Sequence, residues 1–486
     1  MEHEQTSGGS ADTTRWADRR EFAASGLMLL ACLLALAGAG LLSVMFIKLA
    51  VPTLFADTAF LSFGRLRPAA WSMLVYGFGG TLTHAIVYYL TPRLVGVALR
   101  HQTVALLSGV AHAGLVVVGV LVVLFRGPAG SELAEFPPLL DWPLAAASLV
   151  PALVVTSMIR ERTEQGTYVS LLYIVGAVWW YPALYVTGSI PGLGGIGPFL
   201  QTSVVAGGML TLAFPAAAIG GAYYIVVKES GRPLFSGPLA RAGFWTLAGT
   251  ALLATPARYL GGPAPDWTET VAVAASMGLA LSALTVAANI GLTLSGEWET
   301  ARQSVVTRMV LIGTIAYSLI TFLIGASGFR SVAAVVGLTT WHDGLATGLM
   351  LVAIPVLGLA FVYYAFPRTT GRELSGIETV NRGLRLAVWG GGVAASAIAV
   401  AGLVAGLTWN WASASGARAN SGSGFSETLA AVDVLFTLAA LASVTAMVGI
   451  ALLAWAAIGT YVAGPARAVE MLMPVTTTDR PGAGDE

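Results

Sequence analysis

Long apolar runs separated by short polar loops fill almost the whole chain. Windows of roughly 20 apolar residues, the length a bilayer core requires, fall at 23–49, 69–91, 103–125, 140–158, 167–188, 200–227, 240–258, 269–294, 305–326, 345–366, 384–408 and 429–462. The pattern predicts an all-α polytopic membrane protein of about twelve transmembrane helices. The last window leaves room for a tilt or a short extension. The stretch from Phe22 to Leu49 is too long for a signal-peptide core and is followed by more spans, so it is expected to stay as the first membrane helix. Polar tails are expected over 1–21 and 466–486, on either side of one membrane domain over 22–465.

Three of the apolar runs end alike: Tyr88-Tyr89-Leu90-Thr91-Pro92-Arg93, Tyr223-Tyr224-Ile225-Val226-Val227-Lys228 and Tyr363-Tyr364-Ala365-Phe366-Pro367-Arg368. Their starts lie 135 and 140 residues apart, which predicts three pseudo-symmetric four-helix units. Each ending reads as an aromatic pair at the membrane interface followed by an anchoring cation.

Composition narrows the class. With 56% hydrophobic and 10% charged residues, the chain excludes a soluble globular domain and a nucleic-acid binder. Its zero formal net charge gives no overall electrostatic bias. The single Cys32 excludes an intrachain disulfide, a thiolate metal site and a Cys-x-x-Cys-His heme attachment. Of the 25 basic residues, eighteen fall on one set of loops and tails; the other set holds Lys48, Arg65, Arg67, Arg126, Arg258, Arg330 and Arg418. The positive-inside rule then puts both termini, and all three Tyr-Tyr endings, in the cytoplasm.

Twelve helices in three groups resemble subunit I of the heme-copper oxidases, and local sequence narrows the likeness to the C-type, or cbb-type, enzymes. The run Gly64-Arg65-Leu66-Arg67-Pro68 resembles the entry to that family's helix II, and Lys228 to Pro233 with Phe244-Trp245 resembles its passage from helix VI to VII. Pro256 followed by Pro265-Asp266-Trp267, and Trp341 with Gly344, match the VII–VIII loop and the entry to helix X. Together these matches extend from residue 64 to about 372, in the family's order and spacing.

The resemblance implies six histidines, two for a low-spin heme, one for a high-spin heme and three for copper, because imidazole is the neutral donor such metals take inside a membrane. In register with the motifs above, the heme positions are Ala70, Leu345 and Thr347, and the copper positions are Gly207, Ala257 and Arg258. The whole chain has only His3, His84, His101, His112 and His342. The resemblance therefore implies an oxidase scaffold without the residues for oxidase chemistry, and no heme or copper is expected.

Other polar residues keep two readings each. His342-Asp343 reads as a proton relay or as a solvated helix start, where an acid is favoured. His84 and His112 lie inside spans, as functional groups or as neutral histidines bonded to a neighbouring helix. Arg258 pairs with a carboxylate or anion, or snorkels to the interface; Asp433 is interfacial or pairs with a partner subunit. The pairs Gly79-Gly80, Gly207-Gly208 and Gly220-Gly221 and the triplet Gly390-Gly391-Gly392 predict close helix packing.

These readings point to a cofactor-less scaffold or accessory subunit of a respiratory or redox complex in a prokaryotic cytoplasmic membrane. By the family resemblance it docks a periplasmic redox subunit, cupredoxin-like or a cytochrome c, together with small helical subunits. Two alternatives stand beside it: a genuine terminal oxidase or nitric oxide reductase relative carrying heme and copper, and a channel or carrier using the vacated cofactor volume.

Overall fold

The computed structural model describes residues 22–99, 101–164, 166–190, 195–296, 298–414 and 424–463. The polar tails expected over 1–21 and 466–486 lie outside the described residues, as do 464 and 465. The long helices in chain order are α1 (Phe22–Ala50), α2, α3 (Gln102–Arg126), α4 (Pro138–Arg160), α5 (Val169–Ser189), α6 (Gly197–Ser230), α7 (Gly237–Ala254), α8 (Asp266–Thr293), α9 (Val305–Ala326), α10 (Trp341–Thr370), α11 (Ile377–Ala414) and α12 (Gly424–Ala463), with short helices at Trp298–Gln303 and Arg330–Val336 before and after α9. Helix α2 runs through Phe63–Ser72, a π-helical turn at Met73–Gly80, and Thr81–Val95. No extended strand forms among the described residues.

Ten of these helices are long and apolar enough to cross a membrane among the described residues. The other two are α2 and α7, so the expected count of twelve is not met by length and hydropathy alone. Helix α2 is diluted by Thr81, Thr83, His84 and its glycines, and α7 by Arg241, Thr246 and Thr250. For α2 the reason is burial: every residue from Pro68 to Thr91 is buried, so none of them has to match lipid.

Helices α2, α6 and α10 form the inner trio, and their C-terminal halves touch pairwise. The apolar window of α10 is buried along its whole length and that of α6 over 83% of it, against 39% for α8 in the outer ring. Each inner helix carries a π-helical turn, at Met73–Gly80, Met209–Ala213 and Leu349–Ala353. Directly after the second and third turns come Pro215 and Pro355, and the position 135 residues before Pro215 is Gly80. A proline has no N–H to give and crowds the carbonyl four residues back, so the ladder slips by one residue.

The repeated endings carry a further signature. Gly96, Gly231 and Gly371 have φ of 72°, 64° and 64° and close their helices in the left-handed conformation. They repeat at the same 135- and 140-residue spacing as the tyrosine pairs. Only glycine takes this conformation without a Cβ penalty, which is why it recurs at each helix end.

Five of the six repeated tyrosines are buried and Tyr224 is half-buried. Tyr88, Tyr89, Tyr223, Tyr363 and Tyr364 are all buried, because they sit on the inner helices. Tyr224 meets Tyr364 edge-on at 6.0 Å, and Tyr89 meets Phe361 at 5.4 Å. The following cations fold back over them: the guanidinium of Arg93 lies 3.6 Å from the Tyr89 ring centre and that of Arg368 lies 3.7 Å from Tyr364.

The glycine clusters let neighbouring elements approach closely, backbone against backbone at Gly390 and side chain against backbone at Gly80 and Gly207. A Cβ on Gly390 would lie 2.4 Å from the Ala446 nitrogen, which is how α11 and α12 pack antiparallel. A Cβ on Gly207 would lie 2.4 Å from Thr255 Cγ2, and one on Gly80 would lie 2.5 Å from the His112 ring. Gly392 differs and faces open space.

Candidate functional site

Four charged side chains from distant parts of the chain close a ring at one end of the bundle. Arg67 at the start of α2 lies 3.0 Å from Glu132 and 3.3 Å from Asp343. Arg258 lies 3.3 Å from Asp343 and 3.8 Å from Glu132. Each cation thus faces both carboxylates, the ring carries no net charge, and its side chains retain 23–32% exposure.

Local structure fixes every member. Arg65 ties the start of α2 to α3 by donating to the Leu124 and Phe125 carbonyls at 3.1 and 3.0 Å. Glu132 belongs to the loop between α3 and α4, which is pinned by the Tyr76 hydroxyl donating to the Leu133 carbonyl. Arg258 stands on a 3-10 turn, Thr255–Tyr259, that continues α7. Asp343 is in the first turn of α10, whose entry is held by Trp341 Nε1 donating to Ser327 Oγ at 2.7 Å and by Thr340 Oγ1 donating to the Ile398 carbonyl at 3.0 Å.

Asp343 is therefore an ion-pair partner rather than only a solvated helix start, and Arg258 is bound by carboxylates rather than snorkelling free. A carboxylate shared by two guanidiniums gains more than one exposed to water. Glu132 was missed by sequence reasoning. The only signal for it was two acids, Glu132 and Glu135, in a short loop between two apolar helices.

Under the ring lies a cavity of about 80 Å³. Gly207, Ala257, Arg258 and His342 all line it, so the three expected copper positions converge on one space. The heme positions lie in packed interior: Ala70 and Thr347 are fully buried and Leu345 is 5% exposed. Thr347 Oγ1 donates to the Asp343 carbonyl at 2.7 Å, within its own helix.

The donor set at these positions fits neither heme iron nor copper. Ala70, Leu345, Gly207 and Ala257 carry no donor atom, the Thr347 hydroxyl is engaged, and Arg258 is a permanent cation committed to two carboxylates. Among the described residues no three His, Cys, Asp or Glu side chains come together in a way that could hold a metal ion.

The remaining sequence candidates lie elsewhere. His84 and His112 are fully buried with ring centres 4.9 Å apart. His84 Nδ1 bonds the Gly80 carbonyl of its own helix at 2.8 Å, and His112 Nε2 meets the Tyr181 hydroxyl of α5 at 2.6 Å. The neighbouring-helix bond expected for a neutral histidine thus exists at His112, while His84 bonds back into α2. Asp433 is exposed on α12 and is not a member of the ring. Glu135, in the α3–α4 loop, accepts from Ser72 Oγ at 3.4 Å, and burial pushes its carboxyl up to about 7.

Comparison with known proteins agrees with this architecture. The profile of the family described as Cytochrome C and Quinol oxidase polypeptide I matches residues 23–445. Cytochrome c oxidase subunit 1 of Rhodobacter capsulatus is 26% identical over 420 residues, covering 83% of this chain and 78% of that protein. The Cbb3-type cytochrome c oxidase subunit CcoN1 of Stutzerimonas stutzeri is 24% identical over 387 residues, covering 74% and 79%. A heme-copper terminal oxidase dimer solved by cryo-EM superimposes with a TM-score of 0.69 over 92% of this chain and 84% of that one, at 14% identity, which is a likeness of fold.

Proposed function

This chain belongs to the Cytochrome C and Quinol oxidase polypeptide I family, and from that membership we propose that it is a multi-pass scaffold or accessory subunit of a respiratory membrane complex that works without heme or copper of its own. The observation that carries the reading is Arg258. A copper site needs a neutral donor there, and the chain offers a cation that Asp343 and Glu132 hold in place. Dispensing with a metal removes the need for the other ligands, which accords with Gly207 and Ala257 beside it.

The ring has a second consequence. It fastens α2, the α3–α4 loop, the end of α7 and the start of α10, and α2, α7 and α10 are parts at which the resemblance would place cofactor ligands. The oxidase frame is then kept rigid by charge, and a rigid frame is what a docking subunit needs. The proposed setting is the bacterial inner membrane with both termini cytoplasmic, so that the ring faces a periplasmic redox partner, cupredoxin-like or a cytochrome c.

The test is a visible spectrum and metal analysis of the purified chain, together with identification of proteins that co-purify with it from gently solubilised membranes. The expected result is no Soret band, no stoichiometric copper or iron, and a redox subunit in the eluate. A bis-histidine Soret band at near-unit stoichiometry would overturn the reading.

A further inference from the structure

The loop between α1 and α2 is apolar where a loop is ordinarily polar. Every residue from Val51 to Asp57 is exposed, and Leu54, Phe55, Phe60 and Phe63 are among the exposed side chains. The Phe60 ring meets that of Phe125, at the end of α3, with centres 5.6 Å apart. Phe125 is 63% exposed and closes a stripe of exposed side chains, Leu107, Val110, Val118 and Leu121, that runs along one face of α3. On a helix long and apolar enough to span a membrane, such a stripe is the lipid face. The loop therefore continues a lipid-facing surface around the end of the bundle that carries the ion-pair ring.

Helix length sets its depth. Helix α1 has 29 residues and α3 has 25, about 43 and 37 Å of helix against a hydrocarbon core of about 30 Å. Their ends, and the loop with them, stand at the level of the headgroups. Two cations there are committed to backbone: Lys48 Nζ donates to the Leu54 carbonyl, and Arg65 donates to the Leu124 and Phe125 carbonyls at the negative end of α3. Arg126 is different. Its guanidinium is exposed and makes no hydrogen bond or ion pair among the described residues, and Asp57, the one acid of the loop, pairs with none of the three cations.

We propose that the corner made by this loop and the end of α3 binds an anionic phospholipid, with the phosphate on Arg126 and the upper part of a chain against Phe60 and Phe125. An uncompensated guanidinium beside an apolar surface at headgroup depth matches both halves of such a molecule. Continuity with the α3 stripe favours lipid over a soluble partner, which would meet these side chains only outside the membrane. The lipid would also steady the entry to α2, from which Arg67 reaches the ring.

The test uses the full chain in lipid nanodiscs, labelled with a small fluorophore at Phe55→Cys or, as a second position, at Phe60→Cys. Cys32 is 1% exposed, so the unsubstituted chain is the blank. Quenching is read with trace lipid bearing a nitroxide high on its chain, under either a phosphatidylglycerol or a phosphatidylcholine headgroup, and with a water-soluble quencher. Strong quenching by the nitroxide lipids and little by the soluble quencher is expected at both positions. The phosphatidylglycerol form should reach the same effect at roughly one-fifth the concentration of the other, the preference that about 1 kcal/mol from one cation supplies. Arg126→Gln should bring the two headgroups together, with an unchanged gel-filtration profile. Quenching at both positions by the soluble reagent alone would put the loop in water and overturn the proposal. So would equal effects of the two headgroups on the chain with Arg126 intact, or a preference that survives Arg126→Gln.

Discussion

Arg258 and Asp343, 85 positions apart in the chain, lie 3.3 Å from each other and join the end of α7 to the first turn of α10. The contact is one side of a four-membered ring, and removing Arg258 leaves Glu132 with Arg67 alone and Asp343 with one guanidinium where it had two.

Removing the cation should therefore destabilise more than removing an isolated surface pair. Arg258→Met keeps much of the side-chain volume and is expected to cost about 1–3 kcal/mol, between the values for exposed and buried pairs because the ring is partly exposed. A double-mutant cycle with Asp343→Asn, read from thermal unfolding in detergent, should give a coupling of about 1 kcal/mol. A coupling near zero would mean that the ring is incidental.

Glu135 should make stability depend on pH. Its carboxyl stands at about 7 in the folded chain against an ordinary 4.5, so between those values the folded state holds a proton that the unfolded state has released. The folded pKa is the higher one, and stability therefore falls as pH rises through that window, by up to about 3 kcal/mol. The wild type should melt progressively lower from pH 5 to pH 8, and Glu135→Gln should flatten the curve. The difference between the two curves isolates the Glu135 carboxyl.

The three glycine helix ends allow a graded test. At Gly231 and Gly371 a new Cβ would meet nothing within 4 Å, so Gly231→Ala and Gly371→Ala should cost only the left-handed strain, about 1 kcal/mol each. At Gly96 the Cβ would lie 2.3 Å from Thr163 Oγ1, so Gly96→Ala adds a clash and should cost clearly more. Equal losses at all three, measured by thermal unfolding, would show that the loop around Thr163 simply moves aside.

The glycine ends also show what the sequence held in plain sight. Spacings of 135 and 140 residues were visible in the tyrosine pairs, and the same spacings run through Gly96, Gly231 and Gly371 and through Gly80, Pro215 and Pro355. Helix type and the repeat were legible because apolar length and recurring punctuation are local properties. Burial of the tyrosines was not, since an aromatic pair beside a cation looks the same on an inner helix as at a lipid interface. The partners of Arg258 were hidden for a different reason: Glu132 and Asp343 meet it only through tertiary packing, from a loop and a helix start far away in the chain.

Restoring the heme ligands should not restore the heme. Ala70 and Thr347 are fully buried and Leu345 nearly so, and the Thr347 hydroxyl is bonded within α10. Three imidazoles at these positions would need space that the packed interior does not leave, and overpacking a core costs typically about 1–3 kcal/mol per site before any porphyrin enters. Ala70→His, Leu345→His and Thr347→His combined should therefore express poorly and show no stoichiometric Soret band when heme is supplied. If the triple variant instead takes up one heme or more per chain, the interior opens readily around the helices, and a carrier using that volume becomes a better account of the chain than a scaffold braced by Arg258 and Asp343.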